Sequence, residues 1–477
     1  MQNNGYQKFN CDPTQPLEMT RGVSLLTGDP KKAILKLSGP MIVAMLMLSI
    51  YNLVDAIWVS GLGPDALAAV GFIMPVFMIL IGISNGLGAG VSSAIARKIG
   101  AQDKAGADNT AAHAMLFVIV LSVALTFPLM LFVKPLVMLL GAGTAGDLAA
   151  TYGKIVFAGT IFIIFTNIAY SVLRGEGDTK RTMYAMGGSA IINLILDPIL
   201  IYHAKMGVAG AAWATVISIL LISAVLLYWL LIKKDTYVSL SRKTFTLDRA
   251  VIKDVLQVGL PAGLEFLLIS IVAVIINGIL VTISGTDAVA VYTAGWRVVM
   301  FAIIPMVAIG TSTVSVAGAA FGARRYENLQ VIYDYSIRLG LSIGIATSIL
   351  TWILAPMITT AFTYSPESAH LAPTMVAFLH TMCVFYPFVP PGIVSASLFQ
   401  GTGKGKTSLV INVFRSLIFI IVLAFILGIV LGMGQVGVWW GIVIGDILGG
   451  ILGYLWARLY INRLKACEGL WHAPTTI

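Results

Sequence analysis

The chain has 477 residues, of which 58% are hydrophobic and 11% charged, whereas soluble domains carry about 25% charged residues. With a mean hydropathy of +0.93, it could not present a wettable exterior, which excludes a cytosolic enzyme, a secreted disulfide scaffold and a disordered adaptor. The net charge is +9, but the basic residues lie between apolar runs, a pattern that orients a chain in a bilayer and does not grip nucleic acid.

The first thirty residues are polar as far as Leu25, so no cleaved leader is expected and 1–32 reads as a cytoplasmic segment. A helix that crosses a bilayer needs about 20 apolar residues. Runs of that kind fall near 33–60, 66–95, 110–140, 147–173, 182–203 and 207–232. The polar stretch KKDTYVSLSRKTFTLDR (233–249) follows, and 233–251 reads as a cytoplasmic linker. Six more runs lie near 252–284, 288–320, 329–362, 371–398, 408–432 and 437–461, leaving 462–477 as a tail. Lipid offers no hydrogen bonds, so the spans must be helices. The expected fold is an all-α polytopic membrane protein with twelve transmembrane helices: an N-lobe over 33–232 and a C-lobe over 252–461.

With the N-terminus inside, the inner connections hold 26 Lys and Arg against 3 outside (Lys134, Lys154 and Lys205), and Arg297 lies within a span. That bias places both termini in the cytoplasm of a plasma membrane. Cys11, Cys383 and Cys467 are far apart and form no CxxC, so neither metal nor disulfide is expected. GTGKGKT (401–407) has three residues between Gly401 and Gly405 where a phosphate-binding loop needs four, so ATP hydrolysis is not expected.

The halves repeat. GLGPDALAAVGF (61–72) returns as GTDAVAVYTAG (285–295) and IGAQDK (99–104) as FGARRY (321–326), both offset by 222. RGEGDTKRT (174–182) returns as QGTGKGKTS (400–408), offset 226 at Gly175, and MGVAGAAWA (206–214) as MGQVGVWWG (433–441), offset 227. Pro40 and Pro261 open the first span of each half. Six spans is an even number, so the halves are parallel bundles related by a pseudo-two-fold axis along the membrane normal. Two such bundles enclose a cleft that can open to either side by rocking.

Charged groups inside a bilayer are costly and mark ion or substrate paths. Asp55 lies six residues before Gly61 and Asp197 six before His203, so each sits about 9 Å below the outer surface. Tyr51 and Asn193 stand four residues before them on the same faces; Thr215 and Tyr152 fall near the same level. The repeat puts apolar Ile276 and Leu423 at the counterparts of the two acids, an asymmetry that favours function over structure. Two carboxyl groups in one buried pocket favour holding a proton or Na⁺, and Asn193 and Thr215 add neutral oxygens that could ligate Na⁺. No other metal site and no cofactor are expected. A substrate cavity is assigned to Tyr51, Asn52, Tyr152, Asn167 and Tyr170. In the second half, Glu265, Arg297 and Asp446 fall near mid-membrane; an ion pair of Arg297 with either acid is expected, with a second ion or substrate site as the alternative. His113 reads as a polar residue facing a neighbouring helix near the inner end.

YNLVDAIWVSGLGPDALAAVG, SSAIARKIGAQDK, LDPILIY and the RGEGD turn, over nearly the whole chain, resemble the multidrug and toxic compound extrusion (MATE) family, in particular its DinF-like branch and archaeal members. The resemblance implies a monomeric prokaryotic exporter of cationic and amphiphilic compounds in exchange for H⁺ or Na⁺, with only small molecules and the bilayer as partners. It also implies that Asp55, Asn193, Asp197 and Thr215 form the first-lobe cation site, that Tyr51 lines the drug cavity, and that the first helix bends at Pro40. The rival readings are a lipid-linked saccharide flippase of the same superfamily and an integral membrane enzyme; the longest loop, 233–253, has no His or Cys to support the latter.

Overall fold

A computed structural model describes residues 20–471 except 140, 142, 234, 241–244 and 365–367. Cys11, the side chain of Cys467 and the ends of the two terminal segments lie outside the described residues. A short helix, α1 (Arg21–Thr27), precedes the first span. The spans of the first half are α2 (Pro30–Ser60), α3 (Pro64–Gly100), α4 (Lys104–Leu139), α5 (Gly146–Ala158) with α6 (Thr160–Gly175), α7 (Thr179–His203) and α8 (Val208–Lys233). Those of the second half are α9 (Arg249–Gly322), α10 (Tyr326–Phe362), α11 (Ala369–Gly401), α12 (Gly405–Val430) and α13 (Gly434–Ala466).

Two of these depart from one helix per span. The α9 helix has 74 residues, about 110 Å of rise against a hydrocarbon core of about 30 Å. It breaks at Gly285, whose φ of 74° and ψ of −162° leave the helical region, and therefore supplies two spans. The helices α5 and α6 meet at a 50° bend and together make one. Twelve spans result among the described residues, as the apolar runs predict.

The repeat is written in the backbone. Gly63 has φ 103° and Gly285 φ 74°; Gln102 has φ 58° and Arg324 φ 56°. Gly177 and Gly403 share φ 80°, and Gly207 and Gly434 have φ 56° and 66°. These pairs stand 222, 226 and 227 residues apart, the offsets found in the sequence. Each half turns its corners the same way, as parallel bundles require.

Each lobe has its own core. Val91, Phe157, Ile164 and Leu173 are buried in the first; Phe378, Tyr386 and Trp439 in the second. A third cluster joins the lobes at the end of the bundle that carries α1, where Ile34 and Leu37 meet Val316, Tyr333 and Phe399. Phe127, Leu131, Val274 and Ile353 are exposed on the outside, an arrangement suited to lipid and not to water.

At the same end α3 crosses the second half of α9 so closely that a Cβ on Gly100 would overlap the Ala319 carbonyl, and one on Gly322 the Arg97 carbonyl. The two contacts are each other's image under the pseudo-two-fold. Around them Ser92 Oγ lies 3.2 Å from Ser315 Oγ, Ser93 Oγ donates to the Gln400 carbonyl at 2.6 Å, and Arg97 pairs with Asp254 at 2.9 Å. The lobes are closed against each other at this end.

The linker belongs to the first lobe. Val238 N–H donates to Glu176 at 3.0 Å, Ser239 donates twice to Asp108 at 2.8 Å, Thr246 N–H donates to Asn109 at 3.2 Å, and Asp248 N–H donates to His113 Nε2 at 3.1 Å. Asp248 then caps α9 by accepting from Ala250 N–H at 2.7 Å. His113 is fully buried, and the linker supplies the donor to its Nε2 and a ring contact from Phe245.

Candidate functional site

Packing of α2 on α7 is extensive and brings two acids together that are 142 residues apart in sequence. The Asp55 and Asp197 carboxyl groups meet within hydrogen-bonding reach. Asp197 is fully buried, and Asp55 Oδ1 is buried with no hydrogen-bond partner among the described residues. One turn earlier on α7, Asn193 donates through Nδ2 to Asp197 Oδ2 at 2.8 Å and accepts at Oδ1 from Thr215 N–H of α8 at 3.1 Å. The Thr215 hydroxyl donates to the Ala211 carbonyl at 3.1 Å and meets the Tyr51 hydroxyl. Tyr152 of α5 stands beside both carboxyl groups. The i,i+4 spacing of helices places Tyr51 over Asp55 and Asn193 over Asp197, and four elements of the first lobe close the cluster.

Of the residues assigned to the substrate cavity, Tyr51 and Tyr152 join this cluster. Of the other three, Asn52 and Asn167 hydrogen-bond within their own helices. Asn52 is exposed and donates to the Leu48 carbonyl at 2.9 Å; Asn167 donates to the Ile163 carbonyl at 2.8 Å; Tyr170 is buried one turn from Arg174. Pro40 lies inside α2, fifteen residues before Asp55. A proline there removes one backbone hydrogen bond and crowds the preceding turn, a local weak point in the helix.

The second lobe corrects an expectation. Arg297 forms no ion pair among the described residues and is exposed. The partner of buried Asp446 is Arg415 of α12, at 3.6 Å. Glu265 accepts from Ser408 Oγ at 2.7 Å and from Gln400 Nε2 at 3.2 Å, so neutral donors hold it. The physical reason is reach: Arg297 points away from the lobe's interior, whereas α12 packs along α13 and carries Arg415 to Asp446. Sequence reasoning missed Arg415, which lies ten residues beyond Gly405, near the start of the apolar run 408–432. Its place inside an apolar run was the available signal.

Two parallel six-span lobes, sealed at one end and carrying an acid pair inside one of them, define a polytopic membrane transporter. A profile of the MatE family matches residues 40–199 and 261–426, one stretch in each half. The chain is 27% identical over 411 residues to the probable multidrug resistance protein YoeA of Bacillus subtilis (strain 168), covering 84% of this chain and 88% of that protein. It is 28% identical over 407 residues to the FAD transporter of Shewanella oneidensis, again covering 84% and 88%. A solved structure, described as the outward-facing conformation of a multidrug resistance MATE family transporter of the MOP superfamily, superposes with a TM-score of 0.92 at 43% identity, covering 94% of this chain and 100% of that one. The chain belongs to the MatE family; it is a transporter and not an enzyme.

Proposed function

We propose that this protein exports cationic and amphiphilic compounds across a prokaryotic plasma membrane in exchange for H⁺ or Na⁺, working as a monomer with both termini in the cytoplasm. The observation that carries the reading is the contact between Asp55 and Asp197. Two carboxyl groups in contact inside a membrane are costly as a pair of bare charges, and a proton or a monovalent cation between them removes most of that cost. The Asn193 amide and the Thr215 and Tyr51 hydroxyls surround the pair with neutral polar groups, which suit either ion. The charge bias of the connections puts the sealed end in the cytoplasm, so the acids face the outside and load there. Cation binding bends α2 near Pro40, the compound is displaced outward, and the lobes rock so that the cation leaves inside.

The test is ethidium efflux from proteoliposomes under a pH gradient or a Na⁺ gradient imposed separately. One gradient drives efflux in the wild type and thereby names the ion. Asp55→Asn or Asp197→Asn lowers the driven rate by at least about tenfold, as expected for loss of a coupling acid. A wild type indifferent to both gradients overturns the antiport reading and makes lipid-linked saccharide flipping the leading one.

A further inference from the structure

The helix α1 is too short to span anything, yet its two buried side chains between them reach both lobes. Val23 is part of the first lobe's core. Leu26, three residues on, packs in the cluster that contains Val316, Ala319, Ala320 and Leu329 of the second lobe. Three residues place two side chains on nearly the same helix face, so α1 lies lengthwise over the seam.

Its two attachments differ in kind. Towards the first lobe the fit is backbone on backbone. A Cβ on Gly22 would stand 2.6 Å from the Glu176 carbonyl oxygen, and one on Gly177 would stand 2.6 Å from the Gly22 carbonyl oxygen and 2.9 Å from Leu26 Cγ. Towards the second lobe the polar attachment among the described residues is one exposed hydrogen bond, Arg325 Nη1 donating to the Thr27 carbonyl at 3.2 Å. Beside it a cavity of about 60 Å³ remains, lined by Leu26, Thr27, Ala320, Ala323 and Arg325 among others. The linker, the other segment that leads into a lobe's first span, hydrogen-bonds in its described residues to Asp108, Asn109, His113 and Glu176 of the first lobe.

We propose that α1 is a latch that holds the lobes shut at the sealed end, riding with the first lobe and releasing the second in every transport cycle. The turn at 322–325, which carries Arg325, adjoins the Gly100–Gly322 crossing, so the Thr27–Arg325 bond ties α1 to the second lobe beside that crossing. The loose side is the one that lets go: an exposed hydrogen bond at the edge of a cavity is easier to break than a glycine-tight backbone fit. This inference rests on the alternating-access reading.

The test uses the full chain with Cys11, Cys383 and Cys467 replaced by Ser. In Thr27→Cys/Arg325→Cys, a short cleavable bismaleimide ties the latch to the second lobe. Gradient-driven efflux stops when the cross-link forms and returns when it is cleaved. Separately, Ser315→Cys, which is buried in the seam, reports opening by its reaction with a membrane-impermeant maleimide supplied on the sealed side. Arg325→Ala speeds that reaction several-fold, because the closed state loses its strap. Unchanged efflux in the cross-linked protein, or equal labelling with and without Arg325→Ala, overturns the latch. Failure of uncross-linked protein to transport under any gradient instead indicts the antiport reading, and the labelling comparison still decides the latch.

Discussion

Asp197 and Asn193 reach each other because four residues of helix return a side chain to the same face, a relation visible in the sequence. The matched depth of Asp55 and Asp197 was legible as well, six residues from the outer end in each case. Their contact was not, because it depends on which faces of α2 and α7 oppose each other, and both helices are apolar nearly all round. Thr215 tests the cluster without removing a charge. Thr215→Val deletes the hydroxyl that meets Tyr51 and leaves the backbone N–H on Asn193. The fold should be unchanged while the apparent affinity for the driving ion falls severalfold, read from the ion dependence of efflux; equal ion dependence would place the hydroxyl outside the coupling site. In the second lobe, Arg415→Met strands buried Asp446 and should destabilise the protein by about 3–5 kcal/mol, whereas Arg415→Met/Asp446→Leu should recover most of that loss. Thermal unfolding in detergent checks both, and a stable single variant would show that the pair does not hold α12 to α13.

Among elements, the turn 175–178 shows how far a motif can be read. RGEGD announces a tight turn, and Gly177 at φ 80° supplies it. What the motif hides is that Glu176 is buried beneath the linker, 1% exposed. Burial pushes its carboxyl up to about 8, against the pull of the Val238 N–H. The folded protein therefore keeps a proton on Glu176 in a range where the unfolded chain, near the ordinary value of about 4.3, has lost it. The resulting stabilisation is complete below the unfolded value and is lost as pH rises through about 8. The melting temperature should fall as pH is raised across that window, and Glu176→Gln, which still offers Val238 an acceptor, should flatten this dependence. An identical profile in both proteins would assign the pH dependence to other groups. Elsewhere at this scale the spans were legible from apolar length alone. The 50° bend between α5 and α6 was not, since nothing in GTIF (159–162) distinguishes a break from a continuous helix.

For the molecule as a whole, the offsets of 222, 226 and 227 gave the symmetry before any coordinates, because corner residues forced to positive φ are conspicuous even when the spans between them have diverged. The seal was not legible: small residues are common in apolar helices, and nothing local marks Gly100 and Gly322 as the pair on the axis. Gly100→Leu and Gly322→Leu should have near-equal effects, each separating the lobes at the sealed end, as measured by distances between spin labels across the seam. An unmoved distance in either variant would mean that other contacts set the closure. The linker's attachment carries a further meaning for biogenesis. Since the described linker hydrogen-bonds to Asp108, Asn109, His113 and Glu176 of the first lobe, that lobe can finish its own surface while the ribosome is still making the second. The later half then emerges already facing the right way and meets a completed template, so the order of synthesis is also an order of assembly.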